Sequence, residues 1–136
     1  MPGFATTEEI NKYIGGIFEK ALDDTDIGPR LMATGMTLRM NFSDPEAVIT
    51  VDFPGQSILT GEDAIVDADA ILSMSADTAN GYWQGKVSLP LAMAKGKLTI
   101  GGSAAELLKL APLAKDLHPV YISMLEENDR HDLIIA

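Results

Sequence analysis

GKVSLPLAMAKGKLTIGGSAAE, residues 85–106, is the stretch whose reading decides the architecture. Two Gly-Lys pairs, Gly85-Lys86 and Gly96-Lys97, bracket Ser88, Pro90 and Ala92. Ser88 is placed to cap a short helix, and Pro90 falls in its first turn, where a missing N–H has no partner to lose. Gly96 ends that helix. Lys97–Ile100 then reads as a strand too short to stand alone, and so as an added member of a sheet built elsewhere. Ser103 with Glu106 forms a capping box that opens the next helix. The block is organised and almost wholly apolar, yet it holds no nucleophile, ligand cluster or phosphate loop.

Working upstream, Asp77–Gln84 is a short helix closed by Gly85, with Tyr82 and Trp83 adjacent on it. Before it the period is two. Ala68, Ala70, Leu72 and Met74 alternate with Asp69, Ile71 and Ser73, as in a half-buried strand. Ile49, Val51 and Phe53 do the same, as do Met36, Leu38, Met40 and Phe42, and the turn at Asp44-Pro45-Glu46 joins these last two runs as a hairpin. Pro54-Gly55 marks another turn, with Ile58-Leu59 as a short edge strand after it. The expected arrangement of these runs is an antiparallel meander of four strands. Thr6 and Glu9 form a first capping box, followed by Ile10, Ile14, Ile17, Phe18, Ala21 and Leu22 at helical spacing. Gly15 and Gly16 inside this helix mean either that the helix is weak there or that another backbone passes close, and close packing is the favoured reading. A turn is expected at Gly28-Pro29.

Downstream of the block, Leu107, Leu108, Leu110 and Ala111 are expected on the buried side of a helix that Pro112 stops or kinks. A last helical segment after His118-Pro119 carries Val120, Tyr121, Met124 and Leu125. The fold class is α+β, with helices layered on one face of the sheet.

With 136 residues and an apolar fraction of 46%, the chain reads as a single domain over residues 1–136 with a sizeable core. Twenty acidic residues against ten basic ones give a net charge of −10. Nucleic-acid binding needs clustered Lys and Arg, which are scattered here, and stable docking on or insertion into a membrane is disfavoured for the same reason and for want of a long apolar run. The absence of cysteine excludes disulfides and thiol chemistry and fits a reducing cytoplasm. MPGFATTEEI lacks the basic start and apolar core of a signal peptide.

No catalytic set emerges. His131 with Asp129 and Asp132 is the only metal reading on offer; a solvated terminus is the plainer one. There is no G-x-S-x-G, and the run from Gly96 to Gly102 fails both phosphate-loop patterns. Asp67 and Asp69 face one way on or beside a strand, and on an acidic protein such a pair is ordinarily just hydrated. What remains is an apolar excess in the helical half: Tyr82, Trp83, Leu89, Leu91, Met93, Leu107, Leu108, Leu110, Leu113, Leu117, Tyr121 and Met124. Such stripes are ordinarily core, and periodicity does not separate a filled core from a lined cavity. Seven methionines and short helices between glycines suit a movable wall.

Gly85-Lys86, Pro90, Ala92, Gly96-Lys97-Leu98, Ile100 and Gly102 resemble the GK…P…A…GKLxIxG block of sterol carrier protein 2 domains. Ala68-Asp69-Ala70, running through Leu72-Ser73-Met74-Ser75 to Asp77, is similar to the segment that precedes that block, and Leu107-Leu108-Lys109-Leu110 to the segment downstream of it. The resemblance implies a five-stranded, mainly antiparallel sheet covered by helices, enclosing an apolar tunnel for fatty acyl chains, acyl-CoA or sterols. It implies no shared catalytic residues, hence a non-enzymatic lipid carrier with no cofactor or metal, although such domains also serve as accessory parts of lipid-metabolising enzymes. The tunnel is assigned to Tyr82, Trp83, Leu89, Leu91, Met93, Leu98, Ile100, Leu108, Leu113, Leu117, Tyr121 and Met124. Ligand identity does not transfer, because tunnel positions vary within the family. The ending LIIA is not a peroxisomal S-K-L type address. Burying a dozen methylenes at about 0.8 kcal/mol each outweighs much of an association cost of about 4–15 kcal/mol, so micromolar affinity needs no polar contact. An anionic headgroup would find helix N-termini at Ser88 or Ser103, with Lys86, Lys95 and Lys97 the nearest cations; hydrated surface lysines are their plainer reading. Two other readings stay open: an enzyme or accessory subunit of lipid or steroid metabolism with Asp69 as base, and a structural module whose apolar wall, with the tail Leu133-Ile134-Ile135, forms a homodimer or docks a partner enzyme.

Overall fold

Alternating apolar side chains at Leu38, Met40 and Phe42 and at Ala47, Ile49 and Val51 build the central hairpin of β1 (Thr37–Ser43) and β2 (Ala47–Asp52). The computed structural model describes residues 4–135, apart from the side chains of Ala104 and Ala111. In the hairpin Met40 stands opposite Ile49, so the apolar sets of the two strands share one face. β3 (Ser57–Thr60) adds antiparallel to β2 as an edge strand. β4 (Ala70–Ser75) does not continue a meander. It crosses to the far side of β1 and pairs with it in parallel, Met40 beside Leu72. β5 (Leu98–Gly102) closes the sheet antiparallel to β4, giving the order β3-β2-β1-β4-β5. Period-two alternation says which face a strand buries and nothing about its partner or direction, which is why the meander fails. The opposite face is polar: Asn41 accepts from Arg39 Nε at 3.0 Å and donates to Ser73 Oγ at 3.2 Å.

Asp69 anchors the crossover. Its N–H donates to the Thr37 carbonyl at 2.9 Å, its carboxylate accepts from Thr37 N–H at 2.8 Å, and its carbonyl accepts from Ser103 N–H at 2.8 Å. The chain passes so close that a Cβ on Gly102, at φ +70°, would lie 2.6 Å from the Asp69 carbonyl oxygen. Asp69 therefore has a structural occupation, tying the start of β1 to the start of β4 and the end of β5.

Helices cover the apolar face. α1 (Thr7–Asp23) is capped by Thr6, whose hydroxyl accepts from Glu9 N–H at 3.2 Å. The return arm differs from the expected box: Glu9 accepts from Ala5 N–H at 2.9 Å. Ile10, Ile14, Ile17, Phe18 and Ala21 are fully buried. Gly16 is closely approached by the Met124 methyl group, whereas Gly15 has only ordinary contact with Ile49, so the close packing belongs to one glycine of the pair. In place of the turn expected at Gly28-Pro29, a short helix α2 (Ile27–Met32) forms. Asp24 accepts from the N–H groups of Asp26 and Ile27 at 2.8 and 2.9 Å, and Pro29 sits early enough in the helix to be tolerated.

The longest helix, α5 (Ala104–Glu127), runs unbroken through Pro112 and Pro119. Each proline removes one backbone bond, but Leu107, Leu110, Leu113, Ala114, Leu117, Tyr121, Met124 and Leu125 stay buried on one continuous face, and that packing holds the helix together. Leu108, expected on the buried side, is 69% exposed, because it lies off the three-four spacing of Leu107, Leu110, Ala114 and Leu117. The side chain of Ala111 falls outside the described residues. No helix among those described is long and apolar enough to cross a membrane.

Candidate functional site

The parallel pairing of β1 and β4 brings their C-terminal ends, Phe42-Ser43 and Met74-Ser75, to one edge of the sheet beside the start of β5. Two helices stand over that edge. α3 (Ala76–Trp83) is capped by Ser75, which accepts from Thr78 N–H at 3.1 Å. α4 (Leu89–Ala94) is held between Gly85 and Gly96, at φ +78° and +71°, backbone angles that glycine adopts without strain. Ala92 is the only buried side chain of α4; Leu91 and Met93 are 59% and 45% exposed. A roof seated on one buried alanine and a half-buried Leu89 has little apolar area holding it down.

A cleft of about 630 Å³ opens at this edge. Phe42, Met74 and Leu98 supply its buried apolar lining, and Ser43, Ser73, Ser75, Thr78, Thr99 and Asn41 supply hydroxyls and an amide. A second cleft of about 320 Å³ lies against α4, lined by Val87, Ser88, Leu91, Ala92 and Lys95. Both clefts share Asp77, Thr78 and Lys97, so they adjoin.

The side chains assigned to a tunnel from sequence separate into three groups. Trp83, Leu98, Leu113, Leu117, Tyr121 and Met124 are buried in the core, Trp83 edge-on to Phe18 at 5.4 Å and to Tyr82 at 4.9 Å between ring centroids. Tyr82, Leu89 and Ile100 are half-buried against that core. Leu91, Met93 and Leu108 are exposed. Leu98 lines the larger cleft and Leu91 the smaller. Sequence patterning does not single out Phe42, Met74 or Val87, since the first two read as plain sheet core until the crossover puts them at one edge.

Behind the clefts lies a buried polar cluster. The Tyr121 hydroxyl donates to Asn80 Oδ1 at 2.6 Å. Gln84 Nε2 donates to the same oxygen at 2.9 Å and to the Leu133 carbonyl at 2.8 Å. Asn80 Nδ2 also reaches that carbonyl, at 2.9 Å, and Ile135 N–H donates to Gln84 Oε1 at 2.8 Å, so the tail is fastened to α3. Burial pushes the Tyr121 hydroxyl well above the usual phenol range and raises that of Tyr82, leaving both neutral. Trp83 Nε1 is buried with no acceptor among the described residues. Burial, with Lys115 second, holds His118 below the usual imidazole range, and it stands so close to Gly85 that a Cβ there would lie 2.9 Å from its Nδ1.

Metal chemistry finds no footing in the C-terminal acids. His131 Nε2 lies 3.5 Å from Asp129, while Asp132 is engaged by Arg130 at 3.1 Å. Arg130 also pairs with Glu9 and stacks over Tyr13 at 5.5 Å. Among the described residues no group of three His, Asp or Glu side chains is placed to hold an ion.

No curated protein matches the sequence. Among solved structures, the sterol carrier protein domain 2 of Helicoverpa armigera is similar with a TM-score of 0.69 at 16% identity, covering 88% of this chain and 95% of that one. The apo form of sterol carrier protein 2 from Yarrowia lipolytica gives 0.62 at 17% identity, over 77% and 89% of the two chains. The inverting sec-alkylsulfatase of a Pseudomonas species gives 0.52 at 19% identity, over 65% of this chain but only 14% of its own. At these identities the likeness is one of fold. The family model described as the SCP-2 sterol transfer family matches residues 17–115, most of the sequence, with the five-stranded mixed sheet and its helical cover in accord, and the chain belongs to that family.

Proposed function

We propose that the protein binds and carries apolar lipids, with fatty acyl chains, acyl-CoA and sterol-like molecules as the ligand class, and that it does so as a single unit over residues 1–136 without catalysis. The reading is supported by family membership and carried by one observation: the cleft with Phe42, Met74 and Leu98 in its lining adjoins a second cleft against α4, a helix whose only buried side chain is Ala92. Movement of α4 on Gly85 and Gly96 opens a path along Leu91 and Leu98 towards Tyr82, Trp83 and Leu117. Leu89, Met93, Ile100, Leu108, Leu113, Tyr121 and Met124 complete the wall in this proposal, Leu108 only by turning inward. The unpartnered Trp83 N–H favours a guest with an oxygen near its buried end, since an orphaned donor costs roughly 1–3 kcal/mol. A cytoplasmic location fits a chain without cysteine.

Trp83 is the only tryptophan, so its own emission reports on the interior. Titration with oleate, oleoyl-CoA and cholesterol should shift that emission and displace a fluorescent fatty acid with micromolar midpoints. Failure of every one of these to displace the probe overturns the reading. The sec-alkylsulfatase likeness supports an alternative, an accessory domain presenting lipid to an enzyme; affinity capture of an enzyme of lipid metabolism by the lipid-loaded form alone would favour it.

A further inference from the structure

The acidic charge of this protein is unevenly placed. From Thr78 to Ala105 there is no Asp or Glu, and all 20 acidic residues lie outside that stretch, which holds Lys86, Lys95 and Lys97. Of the seven basic residues elsewhere, Lys20, Arg30, Lys109 and Arg130 are each paired with a carboxylate, while Lys12, Arg39 and Lys115 stand in no ion pair among the described residues but are scattered over three other elements. The three lysines around α4 are exposed and, among the described residues, stand in no ion pair. Between them α4 presents Leu91 and Met93 at 59% and 45% exposure. Leu91, Lys95 and Lys97 line one cleft, which places the apolar and cationic side chains together; Asp77 is the only acid among the residues lining it.

We infer that the α4 face docks reversibly on the surface of an anionic lipid bilayer, Leu91 and Met93 entering the boundary between headgroups and acyl chains while Lys86, Lys95 and Lys97 meet the phosphates. The inference rests on the lipid-carrier reading for its purpose, since it names the surface from which cargo is taken, but its chemistry is independent of cargo. A bilayer is the occupant the observations fit. Two apolar side chains on a helix of six residues make too small a footprint for a stable protein interface, and a lipid surface asks only for charge and a few buried methylenes. At about 0.1 M salt charges are screened beyond about 10 Å, so lysines at the contact act on the bilayer while acids on the far side of the molecule do not. This is local and salt-sensitive attachment, compatible with a net charge that disfavours stable docking.

The test is sedimentation of the full chain with vesicles of phosphatidylcholine alone and of phosphatidylcholine mixed equally with phosphatidylglycerol. Four proteins are compared: wild type, K86Q/K95Q/K97Q, L91N/M93N, and the control K12Q/K20Q/K115Q, which makes the same change of net charge elsewhere as the first triple variant. Each contacting lysine is worth roughly fivefold in partition, so the α4 triple variant should lose on the order of a hundredfold on anionic vesicles. The control should stay within about twofold of wild type, and L91N/M93N should weaken binding with all charges kept. Urea midpoints check that the variants fold. Equal losses in both triple variants, equal binding to neutral vesicles, or no binding to anionic ones overturns the inference. Displacement of a fluorescent fatty acid, measured on the same samples, separates this failure from failure of the carrier reading.

Discussion

The Asn80–Tyr121 pair gives the sharpest test of the packing behind the clefts. Tyr121 is fully buried and its hydroxyl has Asn80 Oδ1, at 2.6 Å, as its partner; Asn80 Oδ1 has a second donor in Gln84 Nε2 at 2.9 Å. The two truncations are therefore unequal. In Tyr121→Phe the oxygen left behind keeps the Gln84 bond, and the cost is that of one net hydrogen bond, about 1 kcal/mol. In Asn80→Ala the Tyr121 hydroxyl is stranded in the core at about 1–3 kcal/mol. The Leu133 carbonyl also loses one of its two donors, though Gln84 retains it at 2.8 Å, for a total of about 2–4 kcal/mol. The double variant strands no hydroxyl, so its destabilisation should fall short of the sum by about 1–2 kcal/mol. Urea unfolding followed by far-ultraviolet circular dichroism, extrapolated linearly, measures all three values. Tyr121→Phe costing as much as Asn80→Ala, or strict additivity, would refute the geometry argued for this cluster.

Local geometry sets two further outcomes. The Glu9 carboxyl is held below the usual glutamate range, first by the hydrogen bond from Arg130 and then by the Ala5 and Thr6 backbone. A carboxyl depressed on folding adds stability that is fully present above about pH 4.3 and fades as pH falls through the lower folded value. The stability gap between wild type and Glu9→Gln should thus shrink from about pH 7 to about pH 3, and a gap that widens on acidification contradicts the pairing. Gly102→Ala should destabilise by more than Gly35→Ala. Both start from positive φ, at +70° and +66°, but only Gly102 faces a backbone oxygen, at 2.6 Å, while nothing lies within 4 Å at Gly35. The Gly35 change should cost about 1–2 kcal/mol; equal melting shifts for the two variants would remove Asp69 from its anchoring role.

The apolar stripe of α1, the β1–β2 hairpin and the added strand β5 are legible in the sequence because each is encoded within a dozen neighbouring residues. Placement of β4 is not. Its alternation is as regular as that of β1, yet the choice between meander and crossover rests on the contacts of Asp69 with Thr37 and Ser103, which are distant in sequence. Pro112 and Pro119 mislead for a related reason: local chemistry says break, and a continuous buried face from Leu107 to Leu125 says continue. The Asp24 turn that starts α2 is a side-chain cap two and three residues ahead, hidden behind the stronger Gly-Pro signal. At the site, the Gly85-to-Gly102 block reveals family and fold, but spacing on a helix gives a direction and not a depth. Trp83 and Leu117 lie in the core while Leu91 and Met93 face water, although all four sit in equally apolar runs. The cleft lined by Phe42 and Met74 exists only because two strands run parallel, and no stretch of chain records that.

The central claim is that a greasy guest occupies the space between α4 and the sheet edge. Native mass spectrometry of the protein purified from its own host tests it most directly. The carrier reading predicts a population heavier by the mass of one lipid, lost on organic extraction and restored by oleate or oleoyl-CoA. A single unliganded mass that added fatty acid, acyl-CoA and sterol all fail to change would contradict it.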